Sequence, residues 1–261
     1  MPQVTSAELW ATELAKWAIP EEILIQAETS PWIHPPSLFQ IPEEITFTPS
    51  HEVAFAALPE SGTVLDIGCG GGVAAFALIQ KSPKVIGVDH QEEMLEMFTA
   101  NAAHRNLESE THLGFWPAVA NEVKSADVVT VYNVLYNVSD VLPFIQALNQ
   151  HARKRVVIEI PANHPLANLS GAWKHFWNLE RPTEPTPELL IAILADLGIT
   201  AHIRYWSSEV RMEVDFEQQV EFTRIRLCLP ASKAQEIRNY LNSNPLSGTK
   251  EVATIWWDIN S

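Results

Sequence analysis

Residues 64–72 read Val64-Leu65-Asp66-Ile67-Gly68-Cys69-Gly70-Gly71-Gly72, an apolar strand that breaks into glycines and passes at once into the helical run 73–80. Four glycines in five positions exceed what a single tight turn requires. They let the main chain turn sharply and approach a ligand closely, and the start of the following helix offers unpaired N–H groups. The next apolar run, Val85-Ile86-Gly87-Val88-Asp89, ends in an acid 21 positions after Gly68. At the tip of the adjacent strand, an acid at that distance is placed to hydrogen-bond a ribose diol.

Outward from this turn, strands alternate with helices, which predicts βαβ units and a parallel sheet. Strands are expected at 63–67, 84–89, 111–114, 126–132, 155–160, 200–206 and 252–257, with helices near 73–80, 92–105, 118–122, 140–151, 187–197, 217–229 and 231–242. Thr186, Pro187 and Gly198 suit the cap, first turn and end of the helix at 187–197. Ser139 is placed to cap the one before it. Residues 1–60 form an N-terminal helical extension, with helices at 7–18 and 51–58 around a proline-punctuated stretch from 31 to 49. Residues 61–261 form the main domain. The connection at 161–186 is far longer than the ~2–6 residues usual between strand and helix. Its aromatic content, Trp173, Phe176 and Trp177, argues for a cap over the carboxyl edge of the sheet.

Bulk composition narrows the function. A chain of 261 residues, 46% of them hydrophobic, can bury a full core. Thirty-two acidic residues against seventeen basic give a net charge of -15, which repels phosphate backbones and disfavours nucleic acid as a substrate. The basic cluster Arg153-Lys154-Arg155 directly precedes an apolar strand and fits a solvated corner. Two cysteines, Cys69 and Cys228, make no disulfide framework and fit a reduced compartment. With no secretory leader and no apolar run near ~18 residues, a soluble, cytoplasmic protein is expected. Metal-ligand clusters with zinc-like spacing are absent from the sequence.

Two features separate the ligands that use this layout. The dinucleotide fingerprint has a third glycine where this chain has Val73, and Asp66 would set a carboxylate beside a pyrophosphate. An acid is better matched to the ammonium of a methionine group. The two motifs together resemble those of the class I S-adenosylmethionine-dependent methyltransferases, over roughly residues 50–260. The resemblance implies a seven-stranded, mostly parallel, Rossmann-like α/β sheet with helices on both faces, and S-adenosylmethionine as cofactor. It also implies that Asp66, Gly68, Cys69, Gly70 and Gly72 form the turn around the methionine and ribose, that Asp89 holds the ribose hydroxyls and that His90 packs on adenine. Phe115 and Trp116 follow the third strand, where many members carry an acid beside adenine. Tyr132, Asn133 and Tyr136, at the end of the fourth strand, are placed near the sulfonium.

Methyl transfer is an in-line displacement that gains most from alignment and exclusion of water, with a base needed only for a protonated nucleophile. The candidates for that base are Tyr136, His164, His175 and Glu159. Neither Asn-Pro-Pro-Tyr nor Pro-Cys occurs, so the marks of adenine-amino and pyrimidine-carbon methylation are missing. The leading expectation is O- or N-methylation of a small, moderately apolar acceptor, with oligomeric state open and a homodimer one option. The alternatives are a methyltransferase acting on protein or RNA, and a non-catalytic S-adenosylmethionine binder.

Overall fold

The computed structural model describes residues 4–32, 41–209, 215–246 and 249–259. Part of the proline-punctuated stretch, residues 33–40, therefore lies outside the described residues. Seven strands form one sheet in the order β3-β2-β1-β4-β5-β7-β6. They are β1 (Thr63–Ile67), β2 (Lys84–Asp89), β3 (Glu108–Leu113), β4 (Ala126–Tyr132), β5 (Ala152–Pro161), β6 (His202–Glu209) and β7 (Thr249–Asp258). The first five are mutually parallel, whereas β7 is antiparallel to both β5 and β6. The expected α/β sheet, mostly parallel, is thus present.

Ten helices accompany it among the described residues: α1 (Ser6–Ala15), α2 (Glu21–Leu24), α3 (Pro49–Ala57), α4 (Val73–Phe76), α5 (Glu92–His104), α6 (Val141–His151), α7 (Ser170–Trp177), α8 (Pro187–Asp196), α9 (Phe216–Arg226) and α10 (Ala234–Ser243). One apolar core lies between the sheet and α1, α6 and α8, around Trp10, Val129, Phe144, Ile158 and Leu194. A second lies between the other sheet face and α3, α4 and α5, around Val53, Phe76, Val85 and Phe98. The central parallel strands β1, β2, β4 and β5 are buried on both faces, which is why they read as apolar runs rather than alternating ones, whereas the edge strand β3 is polar.

Several local expectations are corrected. The helix after the glycine turn ends at Phe76, because Leu78 and Lys81 donate to carbonyls only three residues back and the chain tightens ahead of Pro83. The third strand begins at Glu108, not at residue 111, and the run at 118–122 is a short 3₁₀ turn, Ala120–Glu122. Asp140 rather than Ser139 stands at the start of α6. Thr186 does occupy the position before α8, but its hydroxyl makes no capping bond to the main chain. The basic cluster belongs to β5, where Arg153 pairs with Asp127 and Arg155 with Asp258.

The segment 161–186 contains α7, and its aromatics pack. Trp173, Ala172 and Leu169 are buried with Ile19 and Ile23 of the N-terminal segment and with Leu227, Ile237 and Leu241 of the C-terminal helices, in a third apolar core. Trp177 donates its indole N–H to the Leu227 carbonyl at 2.7 Å. Trp173, Phe176 and Trp177 therefore fasten this segment to α9 and α10.

Candidate functional site

The chain runs β1, β2, β3 toward one edge of the sheet and then returns to β4 on the other side of β1. In open α/β sheets such a reversal leaves a crevice beyond the carboxyl ends of the strands. Four of the singled-out residues gather there. Asp66 of β1 pairs in register with Gly87 of β2 and Thr130 of β4, Asp89 ends β2, and Tyr132 at the end of β4 lies opposite Glu159 of β5.

The turn after β1 is tied to β2 by two main-chain bonds, from the N–H groups of Gly68 and Cys69 to the Val88 carbonyl at 2.8 and 3.1 Å. Gly68 and Gly72 have φ of +69° and +100°, and a Cβ there would lie 2.4 Å from Val134 and 2.0 Å from the Phe76 ring. Only glycine satisfies both the dihedral and the close approach at these two positions. Asp89 accepts from the Gly70 N–H at 3.0 Å through one oxygen and from the Gln91 N–H at 3.0 Å through the other. Oδ1 also lies 3.4 Å from His90 Nδ1, while Oδ2 keeps a further lone pair with which the anchored acid can accept from a diol.

Asp66 is buried. One of its oxygens accepts from the Thr130 hydroxyl at 3.0 Å, while Oδ2 has no hydrogen-bond partner among the described residues. Burial pushes its carboxyl up to about 7, partly offset by the Thr130 bond. A buried acid in this state favours a cationic partner. The Cys69 thiol faces inward, close to where a Cβ on Gly87 would stand, and burial pushes it upward, so only its main chain is presented to the turn.

His90 and Phe115 come together at the ends of β2 and β3, stacked with centroids 4.8 Å apart, and Phe115 is 69% exposed. Trp116 takes the other path. It is buried and donates to the Phe144 carbonyl at 3.3 Å, so it packs the core and does not face the crevice.

The base candidates are separated by their partners. Tyr136 donates its hydroxyl to the Pro161 carbonyl at 2.9 Å, and burial pushes that phenol upward, so the position near the sulfonium is not available to its oxygen. His164 is stacked on Trp17 at 3.9 Å, accepts from the Leu166 N–H at 3.2 Å and is pushed down to about 4 by burial and by Arg181. It packs the 161–186 segment against Trp17, just past α1. His175 sits on the exposed side of α7 against Tyr240 of α10, in a surface hollow also lined by Lys174 and Glu236. Glu159 alone faces the crevice: its side chain is partly exposed, reached by Asn133 and Thr48 at 3.5 Å each, and raised by burial. Asn133 has φ +60° and donates its N–H to the Glu159 carbonyl at 2.8 Å, a left-handed conformation that asparagine tolerates.

His51 escaped the sequence reading. It is 1% exposed, at the third position of α3, and closes a capping box in which its Nδ1 accepts from the Thr48 N–H at 3.0 Å. Its ring lies 5.3 Å from that of Tyr132. Neither His51 Nε2 nor the Tyr132 hydroxyl has a hydrogen-bond partner among the described residues. The one available sequence signal was Thr48-x-x-His51, a capping box with histidine in the usual place of glutamate or glutamine.

Residues 64–155 match the family model described as a methyltransferase domain. The matched segment runs from β1 to the start of β5 and contains the glycine turn and Asp89. A ubiquinone biosynthesis O-methyltransferase from Bartonella tribocorum is 29% identical over 111 residues, covering 42% of each chain. An uncharacterized protein from Haemophilus influenzae is 29% identical over 208 residues, 76% of each. Among solved structures, the YcgJ protein of Bacillus subtilis superposes with a TM-score of 0.57 at 18% identity, over 81% of this chain and 98% of that one, a likeness of fold. The alignments span about half the length of the first curated relatives, 42% and 57%. Among the described residues no group of acidic, histidine and cysteine side chains is built to hold a metal, and no helix is long and apolar enough to cross a membrane.

Proposed function

We propose that this methyltransferase domain uses S-adenosylmethionine to O-methylate a small molecule. The observation that carries the reading is the unpartnered, buried Asp66 oxygen beneath a glycine turn whose Gly70 N–H is already engaged by Asp89. The residues present fit the cofactor. Asp66 would offer an acceptor to its ammonium and Asp89 to its ribose hydroxyls, the stacked His90–Phe115 pair would present one aromatic face to its adenine, and Tyr132 and Asn133 would stand by its sulfonium. When bound, S-adenosylmethionine supplies a methyl group made electrophilic by positive sulfur.

Glu159 takes the proton of the acceptor hydroxyl. Its carboxylate is desolvated, which strengthens it as a base, and Asn133 and Thr48 fix its orientation. With that proton held on Glu159, the acceptor oxygen would be free to take the methyl group that the cofactor would supply. The names of the curated relatives support oxygen as the methylated atom and a small molecule as the acceptor. The acidic charge and the pairing of Arg153 and Arg155 with aspartates speak against a nucleic-acid groove.

The test is transfer of labelled methyl from S-adenosylmethionine to a panel of phenols, catechols and aliphatic alcohols, with amines and total RNA beside them. Label on a hydroxyl compound supports the reading; label only on RNA or on amines would overturn it.

A further inference from the structure

We infer that His51 holds the carboxylate of the cofactor's amino-acid end, an inference that rests on the use of S-adenosylmethionine proposed above. The capping box fixes the ring's chemistry. Because Nδ1 accepts from the Thr48 N–H, the neutral imidazole must carry its proton on Nε2. Nε2 is therefore a donor, and it is buried without a hydrogen-bond partner among the described residues. A buried donor left unpaired is costly, so such atoms mark a place where something else is expected to accept.

The position is beside the glycine turn. The Val73 main chain, directly after Gly72, approaches the His51 ring as a weak acceptor, and that of Ala75 approaches Asp66 as a weak donor, both short of the geometry of a hydrogen bond to Nε2 or Oδ2. The Tyr132 ring lies against the same imidazole, and Phe47, 51% exposed, covers it from another side at 5.7 Å. Thr48, Phe47, Tyr132 and Val73, which lie against the ring, carry no charge, and the Arg204 guanidinium, which reaches the same helix, donates to the Pro49 carbonyl and the Glu52 carboxylate.

A free amino-acid end has one cationic and one anionic group. On β1, β4 and α3 the buried side-chain atoms without a hydrogen-bond partner are an acceptor, Asp66 Oδ2, a donor, His51 Nε2–H, and the Tyr132 hydroxyl, which can do either. Asp66 matches the ammonium and repels the carboxylate. His51 is the donor left for the carboxylate, and a neutral ring suits it: burial holds the imidazole down at about 4, so the bond forms without a buried cation beside Asp66.

The experiment compares two ligands by calorimetry. S-adenosylhomocysteine has the amino-acid end, and 5′-methylthioadenosine shares the adenosine and sulfur but lacks it. His51→Asn keeps an oxygen near Nδ1 for the Thr48 N–H and removes the donor. It is expected to weaken S-adenosylhomocysteine roughly tenfold or more while leaving 5′-methylthioadenosine unchanged. His51→Gln returns an amide donor near Nε2 and is expected to recover part of the loss. Equal weakening of both ligands, or no change in either, would overturn the role of His51 alone. Failure of the unaltered protein to bind S-adenosylhomocysteine would overturn the use of that cofactor, and the role of His51 with it.

Discussion

The Asn133 N–H donates to the Glu159 carbonyl at 2.8 Å and its side-chain amide reaches the Glu159 carboxylate at 3.5 Å, which holds these two residues together at the carboxyl ends of β4 and β5. Replacing the carboxylate without changing its shape isolates its basicity. In Glu159→Gln, turnover is expected to fall by roughly 10²- to 10⁴-fold with S-adenosylhomocysteine affinity retained. In the unaltered protein the rate should rise with pH through a pKa above the ordinary glutamate range, since burial raises it, and that limb should vanish in the variant. A pH–rate profile that is the same in both would rule out the role.

Asp66 makes stability depend on pH in a defined direction. Its folded pKa of about 7 lies above its ordinary 3.8, so the folded state keeps a proton that the unfolded state releases. The contribution is complete below about pH 4 and is lost as pH rises toward 7, at up to roughly 1.4 kcal/mol per pH unit. Urea unfolding between pH 4 and 7 should show this decline in the unaltered protein and a shallower one in Asp66→Asn. Because an ammonium favours the carboxylate, binding of S-adenosylhomocysteine near pH 6 should release a proton, measurable as a buffer-dependent binding enthalpy.

Gly72 combines φ +100° with a Cβ position 2.0 Å from the Phe76 ring. Gly72→Ala must therefore move Phe76 out of the core it shares with Phe98 and Leu78, or shift the turn. A loss of at least about 2 kcal/mol is expected by urea unfolding, with weakened cofactor binding.

Trp17 ties the N-terminal segment to residues 161–186. It stacks on His164, lies under the Arg181 guanidinium at 5.2 Å and donates to the Glu184 carbonyl at 2.6 Å. Trp17→Ala should cost about 3–5 kcal/mol by the same measurement while leaving S-adenosylhomocysteine affinity nearly unchanged, since none of these partners belongs to the glycine turn.

The sheet and the glycine turn were legible because their signals are local. Apolar runs ending in Asp66 and Asp89, with glycines between, show both strand ends and the turn chemistry within thirty residues. Phe115 and Trp116 show where this stops. They are neighbours in one short connection, and nothing in the sequence tells that the first faces solvent while the second packs under α6. The aromatics of α7 showed their helical spacing but not their partners, because α9 and α10 come forty or more residues later. His51 was hidden for a similar reason: its importance lies in Val73 and Tyr132, brought to it by the fold, and its own helix gives it an ordinary setting.

The most direct test is a calorimetric titration of the protein with S-adenosylhomocysteine and, separately, with NAD. Saturable binding of S-adenosylhomocysteine that is weakened at least tenfold by Asp89→Ala, with no binding of NAD, is the result predicted. Binding of NAD without S-adenosylhomocysteine would contradict the account at its centre.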